Sequence, residues 1–157
     1  MSAGPLIATG IGVLLLVATT YVLVGGALTT TEVLVEAQSN LAVNQEVRMR
    51  TAIAVQSTWI DTGTLYVEVK NTGSEPIVDI RSMDVYLYTD GTPAYTPFGS
   101  GVNTWSKENI TPDAVHPGEL DPGETLTLAV GFEGENPQYV QVVTGNGVSS
   151  SAYITGE

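Results

Sequence analysis

The stretch "TLYVEVKN", residues 64–71, decides how this chain is read. Leu65, Val67 and Val69 fall on one side and Tyr66, Glu68 and Lys70 on the other, the period-two alternation of a half-buried strand. It ends in Asn71-Thr72-Gly73-Ser74, residues that suit a turn because Gly takes positive φ and Asn bonds its local backbone. Outward from it the pattern recurs. "MDVYLYTDG" (83–91) puts Met83, Val85 and Leu87 on one face, with Tyr86 and Tyr88 opposite, and stops at Asp90-Gly91. "ETLTLAVGF" (124–132) aligns Leu126, Leu128 and Val130 behind the turn pair Pro122-Gly123. "TAIAVQSTWI" (51–60) is rich in β-formers, and "QYVQVVTGNG" and "VSSSAYIT" flank a Gly145-Asn146-Gly147 turn. No helical pattern separates these runs, so they predict an antiparallel sandwich of about seven short strands and no βαβ units. The region from Gly91 to Gly118 alternates poorly and holds Pro93, Pro97, Pro112 and Pro117. It reads as long irregular loops, where binding residues concentrate.

Upstream lies a different kind of sequence. From Pro5 to Leu28 there is no charge, and the first charged residue is Glu32. At 1.5 Å per residue this run reaches roughly 36 Å, enough to cross a hydrocarbon core of about 30 Å. A secretory signal has a basic n-region and an apolar core of about 7–15 residues. The run exceeds that length and no Lys or Arg precedes it, so it reads as a retained helix starting at Pro5. Its glycines allow close helix approach, and Gly25-Gly26 marks a candidate kink. Residues 29–50 contain neither Pro nor Gly. Leu34, Ala37, Leu41 and, less regularly, Val47 fall near helical spacing, so an amphipathic continuation is expected, with Thr29-Thr30-Thr31 as a cap or bend. The chain thus divides into a transmembrane helix (1–28), an amphipathic helical stalk (29–50) and a β-sandwich domain (51–157). The class is α+β by segment: one long N-terminal hydrophobic helix, then an immunoglobulin-like antiparallel β-sandwich.

Charge and composition restrict function. Seventeen Asp and Glu against five Lys and Arg give a formal net charge of -12. Such a surface repels nucleic acid, which needs clustered cations; it suits a basic partner, bound cations or high salt. There is no cysteine, which excludes disulfides and thiolate chemistry. The single histidine, His116, sits between Val115 and Pro117 without a nucleophile motif nearby, so no catalytic residue and no enzyme activity is expected. Glu119, Asp121 and Glu124, followed by Glu133 and Glu135, lack calcium-loop spacing and read as a solvated acidic face. No metal or other cofactor is expected. Asn109-Ile110-Thr111 is a glycosylation sequon in the expected loop region, making Asn109 a candidate attachment site. Trp59 reads as core, at the end of a strand run. Trp105 either covers one end of the sandwich or anchors a partner. With Tyr86 and Tyr88, and Tyr95 beside them, it makes the candidate partner contact.

The order of these parts carries a resemblance. An uncharged helix runs into "EVLVEAQSNLAV", followed by "LYVEVKNTGSEPIVDI", "MDVYLYTDGT", "LDPGETLTLAV" and "VQVVTGNGVSSSAYI". The chain resembles the archaellum accessory proteins, FlaF above all, and more broadly the FlaF/FlaG and archaellin group of type IV pilin-like proteins. The resemblance implies a helix in the archaeal cell membrane and an extracellular immunoglobulin-like domain in the cell envelope. It implies no enzyme activity. It implies surface-layer protein and archaellum components as partners, with pairing of the domain, and a stator-like role in motility. It carries over no binding residue. Archaellin-type precursors have a basic residue and Gly before the helix, whereas Met1-Ser2-Ala3-Gly4 precede it here; the segment is then either unprocessed or without its leader. The alternatives are a filament subunit, an archaellin or pilin homopolymer with the helix in the filament core, and a tethered module binding a cation or sugar.

Overall fold

A computed structural model describes the backbone of residues 3–155 and the side chains of 3–26 and 35–155. Two compact units are present, Met1–Val43 and Asn44–Glu157. The helix α1 (Gly4–Arg50) supplies the first unit and begins the second. Its Gly4–Gly26 part is long and apolar enough to cross a membrane, and none of it is buried. Side chains 35–46 are exposed and Val47 is half-buried. The Thr29–Thr31 cap, Glu32 and the Leu34 contribution involve side chains outside the described residues, as do Met1 and Ser2.

The second unit is a two-sheet antiparallel sandwich. β1 (Ile53–Asp61), β2 (Thr64–Asn71), β6 (Thr125–Gly131) and β5 (Trp105–Thr111) form one sheet in the order β1-β2-β6-β5. β4 (Thr92–Thr96), β3 (Asp84–Thr89), β7 (Tyr139–Val143) and β8 (Ser149–Tyr153) form the other in the order β4-β3-β7-β8. A short 3-10 helix, Ile80–Ser82, precedes β3. This is the immunoglobulin-like strand order with one additional edge strand, β4. The alternation in the sequence becomes the two inner faces: Leu65, Val67, Val69, Val85, Leu126, Leu128 and Val130 are fully buried, and Met83 and Leu87 nearly so. At about 25 cal/mol per Å² of apolar surface, this core is what holds the cysteine-free domain together.

Two differences from the sequence reading concern the stretch after Gly91. It holds two strands, β4 and β5, so the sandwich has eight strands and fewer loops than expected. β4 is an edge strand with four of its five residues exposed and Pro93 within it, which hides the period-two signal. In β5 the register shifts between Lys107 and Asn109, so the alternation breaks in mid-strand.

The last turn of α1 is seated in the sandwich by turn motifs. The Arg50 carbonyl accepts from the N–H groups of Ser74 (2.9 Å) and Glu75 (3.3 Å), and the Ala52 carbonyl from those of Thr72 and Gly73. A Cβ at Gly73 would collide with the Arg50 carbonyl and the Ala52 nitrogen, so only glycine permits this approach. Asn71, fully buried, ties the motif from below. Its Nδ2 donates to the carbonyls of Glu75 (2.8 Å) and Leu120 (2.9 Å), and its Oδ1 accepts from Gly73 N–H. Across the seat, Asn146 Nδ2 donates to Thr51 Oγ1 at 2.7 Å.

Candidate interaction surface

The outer face of the β4-β3-β7-β8 sheet is built from tyrosines. Because Val85 and Leu87 point inward, Tyr86 and Tyr88 point outward on β3. Strand pairing places Tyr95 opposite Tyr86, Tyr139 opposite Tyr88, and Tyr153 opposite Tyr139. Ring centroids lie 5.4 Å apart for Tyr86–Tyr95, 5.3 Å for Tyr88–Tyr139 and 5.2 Å for Tyr139–Tyr153, the last two edge-to-face. Such pairs add about 0.5–1.5 kcal/mol beyond area burial. Tyr95 is 54% exposed and Tyr153 78% exposed. The phenols bond within the face: Tyr95 Oη donates to Asp84 Oδ1 (3.1 Å), Tyr88 Oη to Gln141 Oε1 (3.2 Å), and Tyr139 Oη to Ser151 Oγ. The Asp84 carboxylate, first through that hydrogen bond, holds the Tyr95 phenol above its ordinary value. These bonds hold three of the five rings in place, and Tyr95 and Tyr153 stay open to a partner.

Tyr86 and Tyr88 thus share one surface with Tyr95, and the structure adds Tyr139 and Tyr153. The latter two lie in short runs whose alternation is visible in sequence, but which strands become neighbours is not. Trp105 does not belong to this surface. It is fully buried at the start of β5, edge-to-face with Phe98 at 4.9 Å, and cannot touch a partner. It belongs to the core of the sandwich, and its buried indole Nε1 has no hydrogen-bond partner among the described residues. Trp59 is reversed in the other direction. It is 37% exposed on the outer face of the first sheet, stacked on Tyr66 at 5.3 Å. The bulge in β1 between Val55 and Ser57 turns it outward. Asn109 is exposed, but on the edge strand β5, opposite Thr127, and not in an irregular loop.

Of the acidic residues after β5, Glu133 and Glu135 are exposed, as a solvated face would have them, but the centre of the group is not. Asp121 and Glu124 are buried, because their carboxylates accept backbone N–H groups. Glu124 takes those of Ala114 and Asp121, and Asp121 takes that of His116 at 2.8 Å. Asp121 Oδ1 also lies 2.9 Å from His116 Nδ1. That hydrogen bond raises the imidazole above its ordinary value and lowers the Asp121 carboxyl below its own. The pair fastens a loop. Among the described residues no cluster of three or more His, Asp or Glu is arranged to hold a metal ion.

Comparison with known proteins adds the fold's relatives. No family model matches the chain, and no curated protein matches it. Among solved structures, the archaellum periplasmic stator protein FlaG from Sulfolobus acidocaldarius aligns at TM-score 0.51 and 20% identity, over 65% of this chain and 97% of that one. The archaellum periplasmic stator protein complex FlaF and FlaG from the same organism aligns at TM-score 0.50 and 19% identity, over 64% of this chain and 85% of the other. At that identity the likeness is one of fold.

Proposed function

We propose that this chain is a non-enzymatic structural component of the archaellum motor base, an accessory protein of the FlaF type. Its apolar helix anchors it in the archaeal cell membrane. Its sandwich projects outside the cell and grips the surface layer, giving the rotating motor a fixed point. One observation carries this reading: an apolar span of Gly4–Gly26 precedes a sandwich that aligns with nearly the whole of a stator protein and offers a tyrosine face. Tyrosine-rich faces are enriched at protein interfaces, where large rigid rings give contact area at low entropic cost.

Co-sedimentation with isolated surface-layer sheets tests the proposal. The full chain in detergent should pellet with the sheets, and Tyr95→Ala combined with Tyr153→Ala should leave it in the supernatant. Pelleting of neither protein would remove the surface-layer role.

A second reading, a filament subunit, is favoured by the helix itself, since the fully exposed apolar part of α1 suits a filament core as well as a bilayer. Electron microscopy of filaments purified from cells, probed for this chain along their length, separates the two.

A further inference from the structure

The tyrosine face is not uniform along the strands. At the end of the sandwich away from the seat of α1, Tyr88, Tyr139 and Tyr153 line an open surface pocket of about 280 Å³ with Gly91 and Gln138. Rings that meet edge-to-face present their negative π faces in different directions around one space, the geometry that receives a cation. Gly91, at φ +76° in the β3–β4 turn, leaves open space where a side chain would stand. Gln138 donates from Nε2 to Asp90 Oδ1 at 3.1 Å, which sets a carboxylate at the pocket's border. The turns and loops at this end carry Asp61, Asp90, Glu133 and Glu135 and no Lys or Arg. Four of the five basic residues stand elsewhere: Arg48 and Arg50 end α1, Arg81 precedes β3, and Lys70 lies at the far end of β2. The fifth, Lys107, lies within edge strand β5 beside Arg81, in another pocket. The one cation over a ring among the described residues is Arg81 on Phe98, also outside this pocket.

We propose that the pocket of Tyr88, Tyr139 and Tyr153 receives a lysine or arginine side chain from a basic segment of a partner protein. Charge complementarity selects this occupant. The Asp90 carboxylate beside the pocket and the absence of Lys and Arg from the turns at this end favour a cation over a neutral group, and aromatic rings are the surface that receives one. The inference rests on the tyrosine face being the docking surface, and it adds the chemistry of what docks there.

Calorimetry and NMR on the full chain in detergent micelles test it with a capped lysine decapeptide. Binding is expected, with the ring resonances of Tyr88, Tyr139 and Tyr153 shifting together. Tyr153→Ala, which leaves the net charge unchanged, should weaken binding about three- to tenfold, and Tyr153→Phe should restore it. Equal affinity of wild type and Tyr153→Ala would overturn the pocket, leaving only diffuse attraction to the acidic surface. Shifts of these rings by a neutral oligosaccharide but not by the peptide would overturn the cation assignment. A chain that pellets with surface-layer sheets yet ignores the peptide would lose this inference and keep the motor reading.

Discussion

Asn71 shows how much one side chain can hold. It is buried with both amide atoms used, and it ties together the ends of β2, the Gly73 turn and the carbonyl of Leu120. Asn71→Ala removes three hydrogen bonds, although Gly73 N–H keeps the Ala52 carbonyl and the Leu120 carbonyl keeps Ile77 N–H, and should cost about 1–3 kcal/mol. The urea midpoint should fall accordingly, with an unchanged slope. His116 makes a different kind of test. Its folded-state value is raised by Asp121, so its contribution is complete below about pH 6.5 and is lost as pH rises through the raised value. The Asp121 value is lowered, so its contribution is complete above about pH 3.9 and is lost as pH falls through the lowered value. The difference in Tm between wild type and His116→Gln should therefore peak between about pH 4 and 6.5 and shrink at pH 9. A constant difference would mean that the ring acts by packing alone. Residue identity reveals little of this. Trp59 and Trp105 look alike in sequence, yet a bulge turns one outward and a strand start buries the other.

At the scale of elements, strands are legible where the apolar alternation runs unbroken and opaque where a proline or a register shift interrupts it. β2, β3 and β6 alternate cleanly because inner residues meet the facing sheet and outer ones meet water. β4 and β5 are edges, one carrying Pro93 and the other a register shift, so their apolar periodicity is lost. How the two sheets join was also hidden. β1 is an edge strand, and its Val55 N–H donates to Ser150 Oγ on β8 at 3.0 Å, linking the sheets along one edge. Ser150→Ala should cost about 1 kcal/mol, and Val55 should become the faster-exchanging amide of β1. The tyrosine face follows the same logic. Each outward tyrosine can be read from alternation within its own strand, but only the order β4-β3-β7-β8 brings them into one surface.

For the molecule as a whole, two turns legible in the sequence, "NTGS" and "GNG", act together to hold the chain where helix becomes sandwich. Asn71–Glu75 clasps the carbonyls of Arg50 and Ala52, and Asn146 reaches Thr51. The last turn of α1 is thus part of the folded domain, consistent with the second compact unit beginning at Asn44. A chain starting at residue 44 should be soluble without detergent, because the apolar span is gone, and should melt cooperatively. A chain starting at residue 52 lacks the Arg50 carbonyl and leaves the N–H groups of Ser74 and Glu75 without it, so it should be less stable by about 1–3 kcal/mol. Gly73→Ala in the longer chain should reproduce much of that loss, since a methyl cannot fit against the Arg50 carbonyl. In the shorter chain the same substitution should cost less, because one of its two collision partners is absent. A double-mutant cycle of truncation and substitution, read by urea denaturation, measures that coupling. A coupling near zero would mean that the helix end rests on the sandwich without being gripped by it. The anchor proposed above requires such a grip, since in that reading any load on the sandwich passes into α1 through this junction.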